Sequence, residues 1–191
     1  PTQHDTDLRH LTALAARHGY VAYIIPGPAP GTSTFYWGPP VRTGLPQPAI
    51  SVDLGPQTNV AAPPRFRTDA LAPVQVQGMV QDPRLGITLP VIVGASLRPP
   101  LAALPLWLTN AADSRAVRLR ESGTGATTAL ARAQAQVDTS VDAVVAEGEL
   151  DGVRYGAVLR PRGLVGLRGA GWSHDGLWYV RRVVHDLALW V

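Results

Sequence analysis

Val74-Gln75-Val76-Gln77-Gly78-Met79-Val80 alternates apolar and polar side chains along most of its length. A period of two belongs to a strand, whose successive side chains point to opposite faces, one buried and one wet. Ala49 to Leu54 alternates in the same way, and both runs read as half-buried strands. Around them, 19 glycines and 18 prolines are spread without period through 191 residues. Both residues interrupt regular elements, so short strands between turns are expected and long helices are not. The expected fold class is mainly β, with two helices.

The first helix is expected where Asp5 or Thr6 can cap it and Asp7 meets the helix dipole in the first turn. Leu8, Leu11, Leu14 and Ala15 form its apolar stripe, and Gly19 closes it. The strand Tyr20-Val21-Ala22-Tyr23-Ile24-Ile25 follows and stops at Pro26-Gly27-Pro28. A short aromatic strand is expected at Phe35-Tyr36-Trp37. Ile87 to Val93 is apolar enough for a strand buried on both faces, although Pro90 makes it an edge strand or breaks it. Ala116 to Arg120 reads as another, and Thr127 to Val137, rich in Ala and free of Gly and Pro, as the second helix. The last third is expected to be β, over Ala143 to Leu150, Arg154 to Leu159, Leu164 to Arg168 and Leu177 to Leu189.

Composition narrows the function. With 46% apolar and 16% charged residues, the chain has the means to build a buried core. The absence of Cys excludes a disulfide scaffold, a thiolate metal site and a cysteine nucleophile. All 17 basic residues are Arg, so a net charge of only +3 accompanies a pI of about 9.8. The densest groups are Arg65/Arg67, Arg115/Arg118/Arg120 and Arg160/Arg162, whose spacing suits strand faces. They are scattered, whereas a phosphate-tracking surface needs clustering, so no nucleic-acid partner is expected. The longest apolar stretch, Leu101 to Leu108, contains Pro105 and falls far short of the roughly 20 residues that span a bilayer. No membrane insertion and no secretory signal are expected of this segment, which starts at Pro1 and is expected to be part of a longer protein.

Candidate chemistry is thin. His4, His10 and His18 lack the i, i+4 spacing of a helical ligand pair and read as exposed helix residues. His174-Asp175 and His185-Asp186 read as turn and strand-end residues. Ser173-His174-Asp175 holds all three triad residue types, but consecutively, whereas a triad converges from separate segments. Gly123-Thr124-Gly125 and Gly169-Ala170-Gly171 complete no nucleotide-binding fingerprint and read as turns. Glu147 and Glu149 share one strand face and read as a solvated pair more than an acid/base couple. Trp37 with Tyr36, and Trp178 with Tyr179, could form a carbohydrate platform, but such aromatics in β-rich chains more often anchor cores or subunit interfaces. No catalytic residue, cofactor or metal is expected, and Trp37, Trp178 and Tyr179 are the candidate interface residues.

Taken in order, these segments resemble the phage late-control-D / VgrG-type tail-hub proteins. The likeness starts with Asp5-Thr6-Asp7-Leu8, Leu11, Leu14-Ala15 and His18-Gly19-Tyr20. It continues through Tyr36-Trp37-Gly38-Pro39-Pro40, Pro48-Ala49-Ile50-Ser51-Val52, Gly55-Pro56, Asn59-Val60 and Leu97-Arg98-Pro99-Pro100-Leu101. It is strongest over Ala146 to Gly152, Tyr155-Gly156, Val158-Leu159, Gly163 to Gly169 and Asp175 to His185. The apolar Asp186-Leu187-Ala188-Leu189-Trp190-Val191 departs from the polar strand that this family carries there.

The resemblance implies a structural baseplate-hub part of a contractile tail or contractile injection system. Its fold would be β-barrel-like, with a helix-plus-sheet unit over 1–96, a Pro-rich linker over 97–110 and a barrel-like, tube-type unit over 111–191. Its partners would be its own copies in a homotrimer, an inner tube protein, and a spike protein or spike domain. It would assemble in the bacterial cytoplasm and become part of a virion or injection particle. The alternative is a carbohydrate- or cell-wall-binding module, or a remnant of a tail lysozyme.

Overall fold

The computed structural model describes residues 6–69, 72, 74–83, 86–101, 115–121 and 123–187. In chain order the first half holds α1 (Asp7–Arg17), β1 (Val21–Pro26), β2 (Ser33–Gly38), β3 (Gln47–Ser51), a single 3-10 turn at Gly55–Gln57, β4 (Val60–Thr68), β5 (Val74–Gln81) and β6 (Thr88–Val93). The second half holds β7 (Arg115–Arg118), α2 (Ala126–Ser140), β8 (Val144–Leu150), the one-turn helix α3 (Gly152–Tyr155), β9 (Leu164–Arg168) and β10 (Gly176–Tyr179). Strand makes up 37% of the described residues against 20% helix, so the mainly-β expectation holds. The expected barrel does not form: among the described residues the sheets have two or three strands each and stay open.

The chain separates into two compact units of interleaved segments. One comprises Pro1–Pro40, Asp69–Arg98 and Leu106–Ala143; the other comprises Val41–Thr68, Pro99–Pro105 and Val144–Val191. The sequential division expected near 97–110 is thus replaced by a crossed one. Long-range ladders are the cause: β3 pairs with β9, and β4 with β8, so the middle and the last third of the chain share sheets. Most of the expected linker, residues 102–110, lies outside the described residues.

In the first unit β5 lies between antiparallel β6 and parallel β7. The alternation read from the sequence sets its faces: Val74, Val76 and Val80 are buried, while Gln75, Gln77 and Met79 are not. Helix α2 covers the buried face. Its Ala129, Ala133 and Val137 recur every four residues, forming one stripe, and join Val76, Val80, Val91 and Val93 in a single core. Alanine on that stripe lets the helix backbone approach the sheet closely. Pro90 lies in β6, an edge strand as its missing N–H requires.

Helix α1 and the β1–β2 hairpin belong to the same unit. Gly19, at φ +66°, lies where an added Cβ would come within 3.2 Å of Ala135 backbone atoms, so conformation and space both call for glycine. Arg98 holds this junction from the other side. Its guanidinium donates to the Gly19 carbonyl at 2.6 Å and lies 3.7 Å from the Asp142 carboxylate. Asp138 Oδ1 accepts from Ser96 Oγ, Leu97 N and Gln134 Nε2, pinning the segment before Arg98 to α2.

The second unit contains the sheet β10-β9-β3 and the two-stranded sheet β4-β8. Val52, Val60 and Leu167 form its core, with Ile50, Phe66, Leu150 and Trp178 packed against them. The buried Asn59 amide bridges to β3, accepting from Ser51 N at 2.8 Å and donating to Ala49 O at 3.0 Å. Gly169, at φ +79°, leaves no room for a Cβ, which would fall 1.9 Å from the Val52 carbonyl oxygen.

Three segments depart from expectation for local reasons. Arg154 to Leu159, expected as a strand, begins in α3, because the Asp151 carboxylate accepts from Val153 N and Arg154 N and caps a helical turn. Strand β10 stops at Tyr179 instead of running to Leu189. Its partner turns away beyond Gly163, where Arg162 has a φ of 69°, and one last pair of bonds links Val180 to Gly163 and Arg162. The expected strand's last residues, 188–189, lie outside the described residues. Finally β4, hidden in the sequence by Pro63 and Pro64, forms at a sheet edge, with register shifts where the prolines sit.

Two outcomes follow for stability. Val76→Ala removes two methyls from a fully buried site and should cost about 2–3 kcal/mol in urea unfolding; a loss under about 0.5 kcal/mol would contradict the core described. Tyr155 donates its hydroxyl to the Pro48 carbonyl at 2.7 Å, and burial pushes its phenol above the ordinary 10.0. The folded state therefore keeps this proton where the unfolded chain loses it, and the associated stability, full below pH 10.0, declines as pH rises further. Tyr155→Phe should cost about 0.5–1.5 kcal/mol at neutral pH and should flatten this alkaline loss in unfolding measured from pH 8 to 11 (a window chosen about the reference value of roughly 10).

Candidate functional site

Aromatic side chains and sheet edges are the features left over once the cores are built. Trp37 extends from β2 beside α1. Its Nε1 donates to the Leu11 carbonyl at 3.3 Å, and its ring meets Tyr20 edge-on, 4.9 Å between centroids at 81°. It still exposes 41% of its surface. Across the β1–β2 ladder, Tyr23 and Tyr36 face each other at 5.0 Å, and the Tyr36 hydroxyl donates to Pro39 O.

Trp178 and Tyr179 are set differently. Trp178 is half-buried, donates from Nε1 to the His174 carbonyl at 2.9 Å, and packs 5.8 Å from Phe66. Tyr179 is also half-buried and has the Arg42 guanidinium 6.0 Å from its ring centre. Its hydroxyl is buried with no hydrogen-bond partner among the described residues. Of the three candidate interface residues, Trp37 exposes surface, Trp178 packs on its own unit's core, and Tyr179 lies half-buried beside Arg42.

Sequence reasoning passed over the most exposed aromatic. Trp172, in the turn between β9 and β10, exposes 93% of its surface. The signal was present: a Trp beside Gly171 in a tight turn has no sheet face to enter.

The polar candidates are occupied structurally. In Ser173-His174-Asp175, the His174 ring stacks on Phe66 at 3.9 Å, and Asp175 Oδ1 accepts from Ala170 N. Three consecutive residues thus make a turn between strands, and the Gly169–Gly171 loop receives its anion from Asp175. At the Gly123–Gly125 loop, Asp82 Oδ2 accepts from Ala126 N and places a carboxylate at the start of α2, where a phosphate would have to sit. His10 lies on α1 and is exposed, and His18 packs near Tyr20 and Trp37; His4 lies outside the described residues. His185 and Asp186 are exposed beyond β10. Among the described residues no three His, Asp or Glu side chains gather as metal ligands would.

Glu147 and Glu149 are exposed on β8 and share a face with Arg65 and Arg67 of β4, Arg65 lying directly opposite Glu147. Opposite charges facing across a ladder contribute only about 0.2–1 kcal/mol, and such a ribbon is a solvated, mixed-charge face. The outer edge of β8 has no strand beside it among the described residues. The described surface therefore offers exposed apolar side chains and open backbone edges. No family model matches the chain, and no curated protein matches it.

The contrast between the two tryptophans is measurable. Trp172→Ala should change the free energy of unfolding by no more than about 0.5 kcal/mol. Trp178→Ala, which empties part of a core, should cost about 2–4 kcal/mol in the same urea titration. Equal costs would show that one of the two sits in a different environment.

Proposed function

We propose that this chain is a non-enzymatic structural component of a contractile-tail baseplate or contractile injection system, a hub subunit working as a trimeric adaptor between inner tube and spike. The observation that carries the reading is the amount of anchoring surface left uncovered beside open strand edges. Ile24, Phe35, Trp37 and Ile92 are exposed on narrow sheets whose edges could accept a neighbour, and Trp172 and Val184 are exposed in the segments beside them. Single exposed apolar residues are ordinary, but several large ones on small open sheets suit a part made to be covered. The ordered resemblance to tail-hub proteins supplies the kind of assembly.

Arg98 and Asn59 lie in segments that carry the likeness, and each donates to a backbone carbonyl, that of Gly19 and that of Ala49 in β3. On this reading the chain acts by shape and assembles in the bacterial cytoplasm before joining a virion or injection particle. A carbohydrate platform is less well supported, because sugar rings lie on flat aromatic faces and Tyr20 meets Trp37 at 81°.

Mass measurement and averaged particle images of the protein carrying this chain test the proposal. A threefold ring is expected; a strict monomer at every attainable concentration would sink it.

A further inference from the structure

We infer that residues 182–187 form a strand against the outer edge of β8 in a second copy of this chain. Arg182-Val183-Val184-His185-Asp186-Leu187 continues a run of high β propensity that starts at Trp178. It leaves its own ladder after Val180 and forms no strand or helix. Val184 and Leu187 are 76% and 87% exposed there. A β-prone run without a ladder is a donor in search of an edge.

Most edges of this molecule cannot accept it. Proline interrupts β1, β3, β4 and β6, removing donors from those edges. Strand β3 is blocked further by side chains: Tyr155 bonds Pro48 O, and Asn59 bonds Ala49 O and Ser51 N. Strand β7 is only four residues long and bears Arg115 and Arg118, which would repel Arg182. Strand β8, seven residues without proline, is the longest proline-free edge strand among the described residues.

Charge selects both β8 and the direction of pairing. An antiparallel register that places Arg182 opposite Glu149 also places Val184 opposite Glu147 and Asp186 opposite Val145. Asp186 then lies on the same face as Arg67, which is Val145's partner in β4. On the other face, Leu187 meets Val144, and Val183 meets Gly148. The parallel direction would bring Asp186 onto Glu149 and lose this match. Donor and acceptor lie on the same chain, so the occupant that this surface fits is another copy of it.

Sedimentation equilibrium of the 191-residue chain and its variants tests the inference, with thermal unfolding as the control for folding. Wild type should self-associate. Val184→Pro, which removes a ladder donor, and Arg182→Glu should each weaken association by about tenfold, without lowering Tm. Combining Arg182→Glu with Glu149→Arg should restore it. A monomeric wild type, an association indifferent to Val184→Pro, or a double reversal that does not recover would overturn the inference. The inference stands apart from the hub reading. A threefold ring that survives Val184→Pro would sink the strand pairing and leave the hub. Strand-paired copies without a threefold ring would do the reverse.

Discussion

The hydrogen-bonding groups at the margins of narrow sheets constrain this structure more than any single contact. Among the described residues each sheet has two or three strands, so nearly every strand has an edge. An edge must be wetted, blocked or paired, because its N–H and C=O groups cannot be left dry and alone. The chain uses distinct devices for this. Proline removes donors in β1, β3, β4 and β6, and the Asn59 and Tyr155 side chains occupy backbone groups of β3. The edge strands without these devices are short, except for β2 and β8.

The cores have the same narrowness. In the unit containing β5, Val and Ala make up the buried cluster, and among the described residues no aromatic side chain joins it. Small side chains let α2 lie close on the sheet, but they use up little of the chain's large apolar surface. The big residues are left at the margins: Trp37 half shielded by α1, Trp172 almost entirely in solvent. A small close-packed core and wide apolar margins are therefore one design seen twice. It suits a part whose remaining burial comes from neighbours.

What the sequence made legible depended on range. The β5 alternation, the edge position of Pro90, the helix around Ala129 and Ala133, and the end of α1 at Gly19 are fixed by neighbours within a few residues, and all were readable. The crossed organisation was not, because pairing β3 with β9 and β4 with β8 is decided by partners about a hundred residues away. Strand β4 was masked by Pro63 and Pro64, whose tolerance depends on an edge position that only the fold reveals. Trp178 and Tyr179 read as core or subunit-interface anchors alike, because local sequence cannot tell a ring facing its own core, as Trp178 does, from one facing outward. Trp172, between turns, was readable and overlooked.

The polar residues fit the same account. Asp82, Asp138, Asp151 and Asp175 each accept from backbone N–H groups near helix starts or turns, and Arg98 donates to a carbonyl. A carboxylate held by backbone amides is a fixed structural acceptor. Its neighbours are peptide groups, so removing it would release a loop before it changed any chemistry. Where the charges are free of such duties, as on the β4–β8 ribbon, opposite signs alternate on one exposed face beside an unpaired edge. A pattern of that kind can set the register and direction of an incoming strand.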